Sequence, residues 1–388
     1  MSATAVVTAL FVGTLVAGVA TPQQRADAAP VPLARPAPAA GVAASDAGVP
    51  LAAAGAGAPA ASAAKRSPRR NPAKLLPTRR SRMPWASGVF VPHDVPQAYE
   101  NFGEWRGAAP DVALTYTFRE DWDAIIRMPR VYHRWRDLPR HLTLVISVAM
   151  IPDTGATLAE CAAGEYDAKW RAFGRGLADA KLADRTVVRL GWEFNGLWVP
   201  WAATRPRHYV ACWRRVVDSA EIAAPGLLWD WCVNRGISSV GIDPRKSYPG
   251  DAYVDIVGID SFDGYPPATT AKGWEEQAES RYGLQFWADF ARRHRKGFSV
   301  PEWAVFSGES WGGNGGGDNA AYIRRMFAFF RRNADVLTYE TYFNEPDPYQ
   351  AGAVELNPRA AREYRRQFAL TRGRSVCRRC ALPNASRY

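Results

Sequence analysis

The chain is poor in the residues that build metal sites, with five cysteines and five histidines among 388 residues. It contains no H-E-x-x-H or similar spacing. Cys377 and Cys380 form one C-x-x-C pair, without the second pair that a structural zinc site needs. We therefore expect no metal and no cofactor. Because the number of cysteines is odd, at least one thiol stays unpaired.

Large apolar side chains are nearly absent from residues 29–64, which are almost all Ala, Pro, Gly and Val. Such a segment cannot form a core. Before it, an apolar run is followed by Ala26-Asp27-Ala28, a pattern typical of signal-peptide cleavage, although a basic n-region is missing. The sequence predicts a signal peptide or N-terminal anchor over 1–28, a linker over 29–82, and a secreted or cell-surface protein.

Acidic residues are absent from two basic segments. Residues 65–82 hold eight Lys or Arg, and the tail 371–388 holds five Arg, so residues 83–370 carry about −2 of the formal +11. A basic protein often binds nucleic acid. Here the charge lies outside the predicted domain, which shows no basic stripe in its sequence. We expect no specific nucleic-acid partner, a monomer, and basic ends that contact an anionic cell-surface polymer or are simply solvated.

From residue 85, short apolar or β-branched runs alternate with helix-compatible segments. Strands are predicted at 88–91, 112–117, 142–150, 186–193, 227–233, 254–260, 297–302 and 336–343. Helices are predicted at 166–181, 206–219, 277–293 and 318–333, with Asp318 as an N-cap. Strands that are apolar along their length and alternate with helices indicate a closed (β/α)8 barrel over 83–370.

Polar and aromatic residues follow the predicted strands. The carboxyl ends of the strands form one rim of a (β/α)8 barrel, and that rim carries the chemistry. The side chains expected there are Glu193, Asn195, Asp230, Trp231, Asp260, Tyr265, Glu302, Trp303 and Glu340. The carboxylates of Asp230, Asp260 and Glu340 either line substrate subsites or pair with Arg189, and the sequence leaves both readings open.

Glu193 and Glu302 are candidates for a catalytic pair, since strands four and seven face each other across the mouth of such a barrel. Two carboxylates ~5–5.5 Å apart support retaining glycoside hydrolysis. Glu302 is the predicted nucleophile. Glu193 is the predicted acid/base, with a pKa that neighbouring indole rings raise by desolvation. In the alternative, Glu193 is a strand-end acid that pairs with Arg189.

Tryptophan is abundant, with fifteen in the chain, and many lie beside the predicted rim. Indole rings stack on pyranose faces, although a single Trp is more often part of a core. The cluster predicts a sugar platform, and its candidates are Trp198, Trp201, Trp231 and Trp303.

Three segments resemble glycoside hydrolase family 26, in clan A of (β/α)8 retaining β-glycosidases. Arg189-Leu190-Gly191-Trp192-Glu193-Phe194-Asn195-Gly196-Leu197-Trp198, with Trp201, resembles the acid/base segment of that family. Residues 256–260 resemble its sixth strand, and Pro301-Glu302-Trp303 its nucleophile strand. The resemblance spans most of residues 85–347. It implies two catalytic glutamates and a substrate among β-mannans, β-glucans or β-xylans.

Two positions depart from the family pattern. Trp192 stands where the family usually has His, immediately before the acid/base Glu. Phe262 aligns with a sixth-strand Tyr that commonly hydrogen-bonds the nucleophile, and Tyr265 is a candidate replacement. Both changes remove polar neighbours of the nucleophile. They leave the mannanase specificity open, and a reduced activity with it.

The sequence thus predicts a secreted, endo-β-mannanase-like glycoside hydrolase. One alternative is an inactive barrel that binds cell-wall polysaccharide. Another is a secreted esterase, because Gly308-Glu309-Ser310-Trp311-Gly312 matches the G-x-S-x-G elbow. All five histidines precede Ser310, whereas the triad of that fold needs its His after the Ser, which argues against the esterase.

Overall fold

The computed structural model describes residue 76 and residues 80–91, 96–135, 137, 139, 142–306, 313–346 and 352–373. Eight parallel strands form a closed barrel in sequence order, and β8 pairs with β1. They are β1 (Ala86–Phe90), β2 (Val112–Tyr116), β3 (Thr143–Val148), β4 (Thr186–Leu190), β5 (Leu228–Asn234), β6 (Ile256–Asp260), β7 (Gly297–Trp303) and β8 (Leu337–Phe343). The predicted (β/α)8 barrel is confirmed.

Ten helices lie between or after the strands in the described part of the chain. They are α1 (Pro96–Arg106), α2 (Trp122–Ile126), α3 (Pro129–Trp135), α4 (Leu158–Ala163), α5 (Asp167–Asp179), α6 (Pro206–Glu221), α7 (Ala271–Glu279), α8 (Leu284–Arg293), α9 (Ala320–Arg332) and α10 (Pro358–Thr371). The helices are amphipathic. In α6, for example, Tyr209, Trp213, Val216 and Val217 are buried at helical spacing. No described helix is long and apolar enough to cross a membrane.

The strands are buried on both faces, which is why they read as continuous apolar runs. The fourth strand is shorter than predicted and ends at Leu190. Gly191 has a φ of +49°, and a Cβ there would lie 2.9 Å from Met150 Cε. The chain therefore leaves the strand at Gly191, and Glu193 lies on the following turn rather than on the strand itself.

Two helix predictions are corrected. The predicted helix 277–293 is two helices, because the chain breaks between Glu279 and Leu284. The N-cap of α9 is Asn319, whose side chain accepts hydrogen bonds from the amides of Ala321 and Tyr322. Asp318 instead accepts hydrogen bonds from the first amides of α10, those of Arg359 and Ala360.

A third expectation, that the domain has no basic stripe, is also wrong. Helix α10 exposes the side chains of Arg359, Arg362, Arg365 and Arg366. The net charge of residues 83–370 does not reveal this basic surface, because it adds the charges on all faces of the barrel.

Cys161 of α4 and Cys212 of α6 form a disulfide, and Cys232 is a buried free thiol. Cys377, Cys380, the predicted signal segment 1–28 and nearly all of the linker 29–82 lie outside the described residues, as does the tail beyond Gly373.

The disulfide joins positions 51 residues apart, so it restricts a long loop of the unfolded chain. We expect Cys161→Ala and Cys212→Ala each to lower the free energy of unfolding by about 2–4 kcal/mol. Urea denaturation measures this loss. The double variant should lose little more than either single variant, since each removes the same bond. A loss below ~1 kcal/mol in all three would contradict a stabilising role for the disulfide.

Candidate active site

Glu302 lies near the carboxyl end of β7, and two donors hold one of its carboxylate oxygens. Oε1 accepts hydrogen bonds from the Tyr116 hydroxyl at 2.5 Å and from Arg189 Nη1 at 2.7 Å. The side chain is 9% exposed. No donor among the described residues binds Oε2, so this oxygen is left for a substrate. The carboxylate is therefore fixed in orientation while one oxygen stays available.

Arg189 is completely buried on β4. A buried guanidinium is costly unless its charge is compensated. Here Nη1 also donates to Ser147 Oγ at 2.8 Å, and Nη2 forms an ion pair with Asp260 Oδ2. Asp260 accepts the amide hydrogen bond of Glu302 through Oδ1 at 3.1 Å. Arg189 and Asp260 thus hold the nucleophile candidate in place, and both side chains are 0% exposed. Their contact with a substrate stays a prediction.

Glu193 is turned toward the same site by an unusual backbone conformation. Its φ is +51°, and its amide donates to Cys232 O at 3.0 Å, which ties the turn to β5. Its two carboxylate oxygens accept separate hydrogen bonds, Oε1 from Asn234 Nδ2 at 2.8 Å and Oε2 from Trp198 Nε1 at 2.9 Å. Glu193 is partly exposed and forms no ion pair with Arg189 in the described structure, which removes the strand-end alternative.

The two glutamates have different electrostatic surroundings. Burial raises the pKa of Glu193, and the negative charge of Glu302 raises it further. The charge of Arg189 and the hydrogen bonds from Trp198 and Asn234 act in the opposite direction. A reaction that uses a general acid and a nucleophile needs one carboxyl group with a raised pKa and one carboxylate held by a cation. Glu193 and Glu302 have these two environments.

Tyr116, at the end of β2, was missed by sequence reasoning. Burial raises the pKa of Tyr116 well above its ordinary value, so the hydroxyl stays protonated and donates to Glu302. Phe262 occupies the position of the family's sixth-strand Tyr, and Tyr265 was the predicted replacement. In the structure it is Tyr116 that hydrogen-bonds Glu302. The sequence does place Tyr116 at the rim. It gives no sign of which rim side chains meet across the barrel.

Asn195 acts on the site indirectly. Its side chain accepts a hydrogen bond from the amide of Asn234 at 2.9 Å and donates to the carbonyl of Asn234 at 2.8 Å. Its side chain is buried, and its contact with a substrate stays a prediction. Asn195 fixes the backbone at Asn234, the second residue missed from sequence, and Asn234 in turn binds Glu193.

Three of the four predicted platform tryptophans are core residues. Trp201, Trp231 and Trp303 are 0% exposed. Trp201 Nε1 donates to the carbonyl of Trp192, Trp231 packs on Phe194, and Trp303 Nε1 donates to Glu340. These rings cannot stack on a sugar, because neighbouring side chains already cover them. The local sequence does not reveal this, since buried and exposed tryptophans follow the strands alike.

Trp198 differs, because half of its surface is exposed while its Nε1 binds Glu193. A Cβ at Gly196 would lie 2.3 Å from the indole, so the glycine allows the ring to fold back over the turn. Trp198 remains a predicted sugar platform. Tyr265 is 53% exposed on the loop after β6 and also remains a predicted substrate contact.

Two further predicted subsite carboxylates are buried, Asp230 inside the barrel and Glu340 between the strands and the helices. Asp230 accepts hydrogen bonds from Ser299 and Tyr339, and Glu340 accepts from Trp303 and Trp85. Both side chains are 0% exposed. Neither forms an ion pair with Arg189 among the described residues, so that reading is wrong for them, and the subsite reading stays a prediction.

Aromatic rings lie on two sides of the candidate catalytic groups. Trp192 lies 5.7 Å from the Arg189 guanidinium and 5.4 Å from the Tyr116 ring. On the other side of Tyr116 is a wall of phenylalanines, in which consecutive ring centroids lie 4.6–5.8 Å apart. Its members are Phe90, Phe343, Phe262 and Phe306. The departures at Trp192 and Phe262 therefore replace polar neighbours with packed rings.

No group of His, Cys, Asp and Glu in the described ranges is placed to hold a metal ion. Ser310 and the rest of the G-x-S-x-G match lie outside those ranges.

Comparison with known proteins adds to this geometry. Residues 176–280 match the model of glycosyl hydrolase family 26. A stretch of 160 residues is 28% identical to endoglucanase H of Acetivibrio thermocellus, covering 39% of this chain and 17% of that protein. The chain thus corresponds to a small part of that relative.

Solved structures show the same fold. An endo-β-1,4-mannanase from Cellulomonas fimi is 18% identical with a TM-score of 0.50, and the match covers 76% of this chain and 75% of that one. The catalytic domain of a family 26 endo-β-1,4-mannanase from Bacillus sp. JAMB-750 is 16% identical with a TM-score of 0.53, covering 75% and 86%. The resemblance is confirmed for the segment around Glu193 and for residues 256–260, whereas Pro301-Glu302-Trp303 lies outside the matched residues. The chain is a glycoside hydrolase family 26-like (β/α)8 barrel.

Proposed function

We propose that this protein is a secreted retaining glycoside hydrolase that cleaves β-linked polysaccharide through Glu193 and Glu302. The observation that carries the proposal is the contrast between these carboxyl groups in one site. Arg189 and Tyr116 bind Oε1 of Glu302, whereas burial and the charge of Glu302 raise the pKa of Glu193. In such a pair one carboxylate can attack the anomeric carbon, and the other carboxyl group can protonate the leaving oxygen of the same glycosidic bond.

In the first step, Oε2 of Glu302 attacks the anomeric carbon and forms a glycosyl ester. Glu193 gives its proton to the leaving oxygen as the bond to the anomeric carbon breaks. In the second step, the ionised Glu193 takes a proton from water, the resulting oxygen attacks the same carbon, and the ester bond breaks. Glu302 returns as a carboxylate and Glu193 as an acid, with the anomeric configuration retained.

A β-mannan is the first substrate to test. The two structural neighbours are named as endo-β-1,4-mannanases. The sequence relative is named as an endoglucanase, so β-glucan and then xylan follow. The half-exposed Trp198 beside Glu193 supports a sugar-binding cleft, since indole faces suit pyranose rings. A reducing-sugar assay on this panel tests the proposal directly.

The disulfide between Cys161 and Cys212 supports export, because disulfides persist mainly in oxidising compartments. We propose a secreted or cell-surface location on this basis. Immunoblotting of cell and culture fractions tests the location, and a count of the oxidised thiols tests the disulfide.

The roles of the two glutamates are separable by leaving group. We expect Glu302→Ala to abolish turnover of both polysaccharide and activated aryl β-glycosides, because both need the nucleophile. Glu193→Ala should slow polysaccharide hydrolysis by about 10²–10⁴-fold and the aryl glycoside far less, because a good leaving group needs no proton. Initial rates on the two substrates measure this.

Glu275→Ala is a matched control, since Glu275 is exposed on α7. Equal losses on both substrates in Glu193→Ala would remove Glu193 from the acid role. Binding of the polysaccharide without any turnover by the wild type would favour the inactive-barrel alternative, to which the aromatic surroundings at Trp192 and Phe262 lend some support.

The alkaline limb of the pH profile should report Glu193. Activity needs the protonated acid, so kcat/KM falls as the pH rises through the pKa of Glu193. The Trp198 hydrogen bond lowers that pKa. We therefore expect Trp198→Phe to move the alkaline limb to higher pH. Leu197→Ala, at an exposed neighbour, should leave the limb in place. A shift to lower pH in Trp198→Phe would contradict this electrostatic account.

Tyr116 should act as a positioning residue for Glu302. We expect Tyr116→Phe to lower kcat by about 10²-fold with little change in KM, because one donor to the reacting carboxylate is lost. In the double variant with Phe262→Tyr, a hydroxyl is supplied from the loop after β6, and part of the lost kcat should return. An unchanged kcat in Tyr116→Phe would show that Arg189 alone is sufficient.

A further inference from the structure

Helix α10 carries an arginine face, which we define as Arg359, Arg362, Arg365 and Arg366. All four are exposed, while the opposite side of the helix is buried against the barrel. Their spacing places them within about 100–120° of the helix circumference and about 10 Å of its length. Four positive charges are therefore concentrated along one flank of the domain.

Few acids oppose these charges. Glu363 is the acid that pairs with the face, its side chain is 10% exposed, and it is shared between Arg366 at 3.2 Å and Arg324 of α9 at 3.6 Å. No ion pair is found for the guanidinium groups of Arg359, Arg362 or Arg365 within the part of the chain that the structure describes. A surface of this kind keeps a strong positive potential.

Two carboxylates lie at the amino end of α10, where the neutral groups that bind them do not cancel their negative charge. Asp318 accepts hydrogen bonds from the first amides of the helix, and Glu355 accepts from Asn344 Nδ2. The positive charge of the arginine face consequently grows toward the carboxyl end of the helix, where Arg372 follows.

The carboxyl end of α10 meets the chain segment that enters β1. The amide of Gly373 donates to Arg82 O at 2.9 Å, and Arg372 Nη1 donates to Gly107 O at 2.8 Å. Gly107 and Arg82 precede β2 and β1, so this junction lies at the amino ends of the strands, opposite the rim that carries the glutamates.

The junction also joins the two basic segments of the sequence. Residues 65–82, with eight Lys or Arg, end at Arg82, and the five arginines of the tail begin at Arg372. Both segments therefore attach to the barrel at one place, and that place adjoins the arginine face. Arg82 and Arg372, which are remote in sequence, thus lie at one junction.

We propose that the arginine face and the Arg82–Arg372 junction form a docking surface for an anionic polysaccharide that bears carboxylates. Guanidinium groups bind carboxylates through paired hydrogen bonds. The face exposes no aromatic ring, which stacking on single-stranded bases needs, and the exposed apolar residues of α10 are Pro358, Ala369 and Leu370, too few for a membrane surface. Because the junction lies opposite the rim, a docked polymer leaves the catalytic mouth free.

The test uses the full chain and immobilised polygalacturonate as the probe, and it needs no turnover. Arg359→Gln, Arg362→Gln, Arg365→Gln and Arg366→Gln are combined in one face variant. A matched control removes the same charge from other helices through Arg175→Gln, Arg207→Gln, Lys272→Gln and Arg293→Gln, all exposed positions. We expect the face variant to bind about 10-fold more weakly at low salt and the control to bind like the wild type.

Equal weakening in the two variants would overturn the proposal, because it would show a response to net charge alone. Tighter binding of the wild type to duplex DNA or to phosphatidylserine vesicles than to polygalacturonate at the same salt would overturn the choice of partner. Hydrolysis of soluble, neutral β-mannan by the face variant should equal that of the wild type. Failure of the proposed hydrolysis would leave the binding result unaffected.

Discussion

The active site depends on one buried cation. Arg189 lies inside the barrel, where the loss of hydration costs several kcal/mol unless anions compensate it. Glu302 and Asp260 supply that compensation, and Asp260 also binds the amide of Glu302. The three groups come from β4, β6 and β7, so the closed barrel is the condition for their meeting. Removing Arg189 leaves both carboxylates without their cation, at a cost of about 3–5 kcal/mol.

Around this cation the two glutamates become chemically different. Glu302 is held by Arg189 and Tyr116, whereas Glu193 is held by neutral donors from Trp198 and Asn234. Desolvation raises the pKa of Glu193, and the neutral donors offset that rise less than a cation in direct contact would. Residues that sequence reasoning assigned to the substrate, such as Asn195 and Asp260, hold these carboxyl groups in position.

The proposed hydrolysis and the proposed docking take place at opposite ends of the barrel. The carboxyl ends of the strands present the glutamates, and the amino ends receive the basic segments beside α10. This separation follows from the parallel strands, because every loop before a strand lies at one end and every loop after it at the other. Hydrolysis and docking on one polymer matrix are geometrically compatible for that reason.

The sequence by itself determined the barrel, because eight apolar runs alternate with amphipathic helices and each run must be buried on both faces. It also determined that Glu193 and Glu302 lie at the rim, through motifs next to strand ends. Only the tertiary structure decided that Tyr116 binds Glu302, that Trp201, Trp231 and Trp303 are core residues, and that arginines collect on α10 beside Arg82. Those facts depend on which side chains converge across the barrel, and no local pattern encodes a contact between residues 186 positions apart.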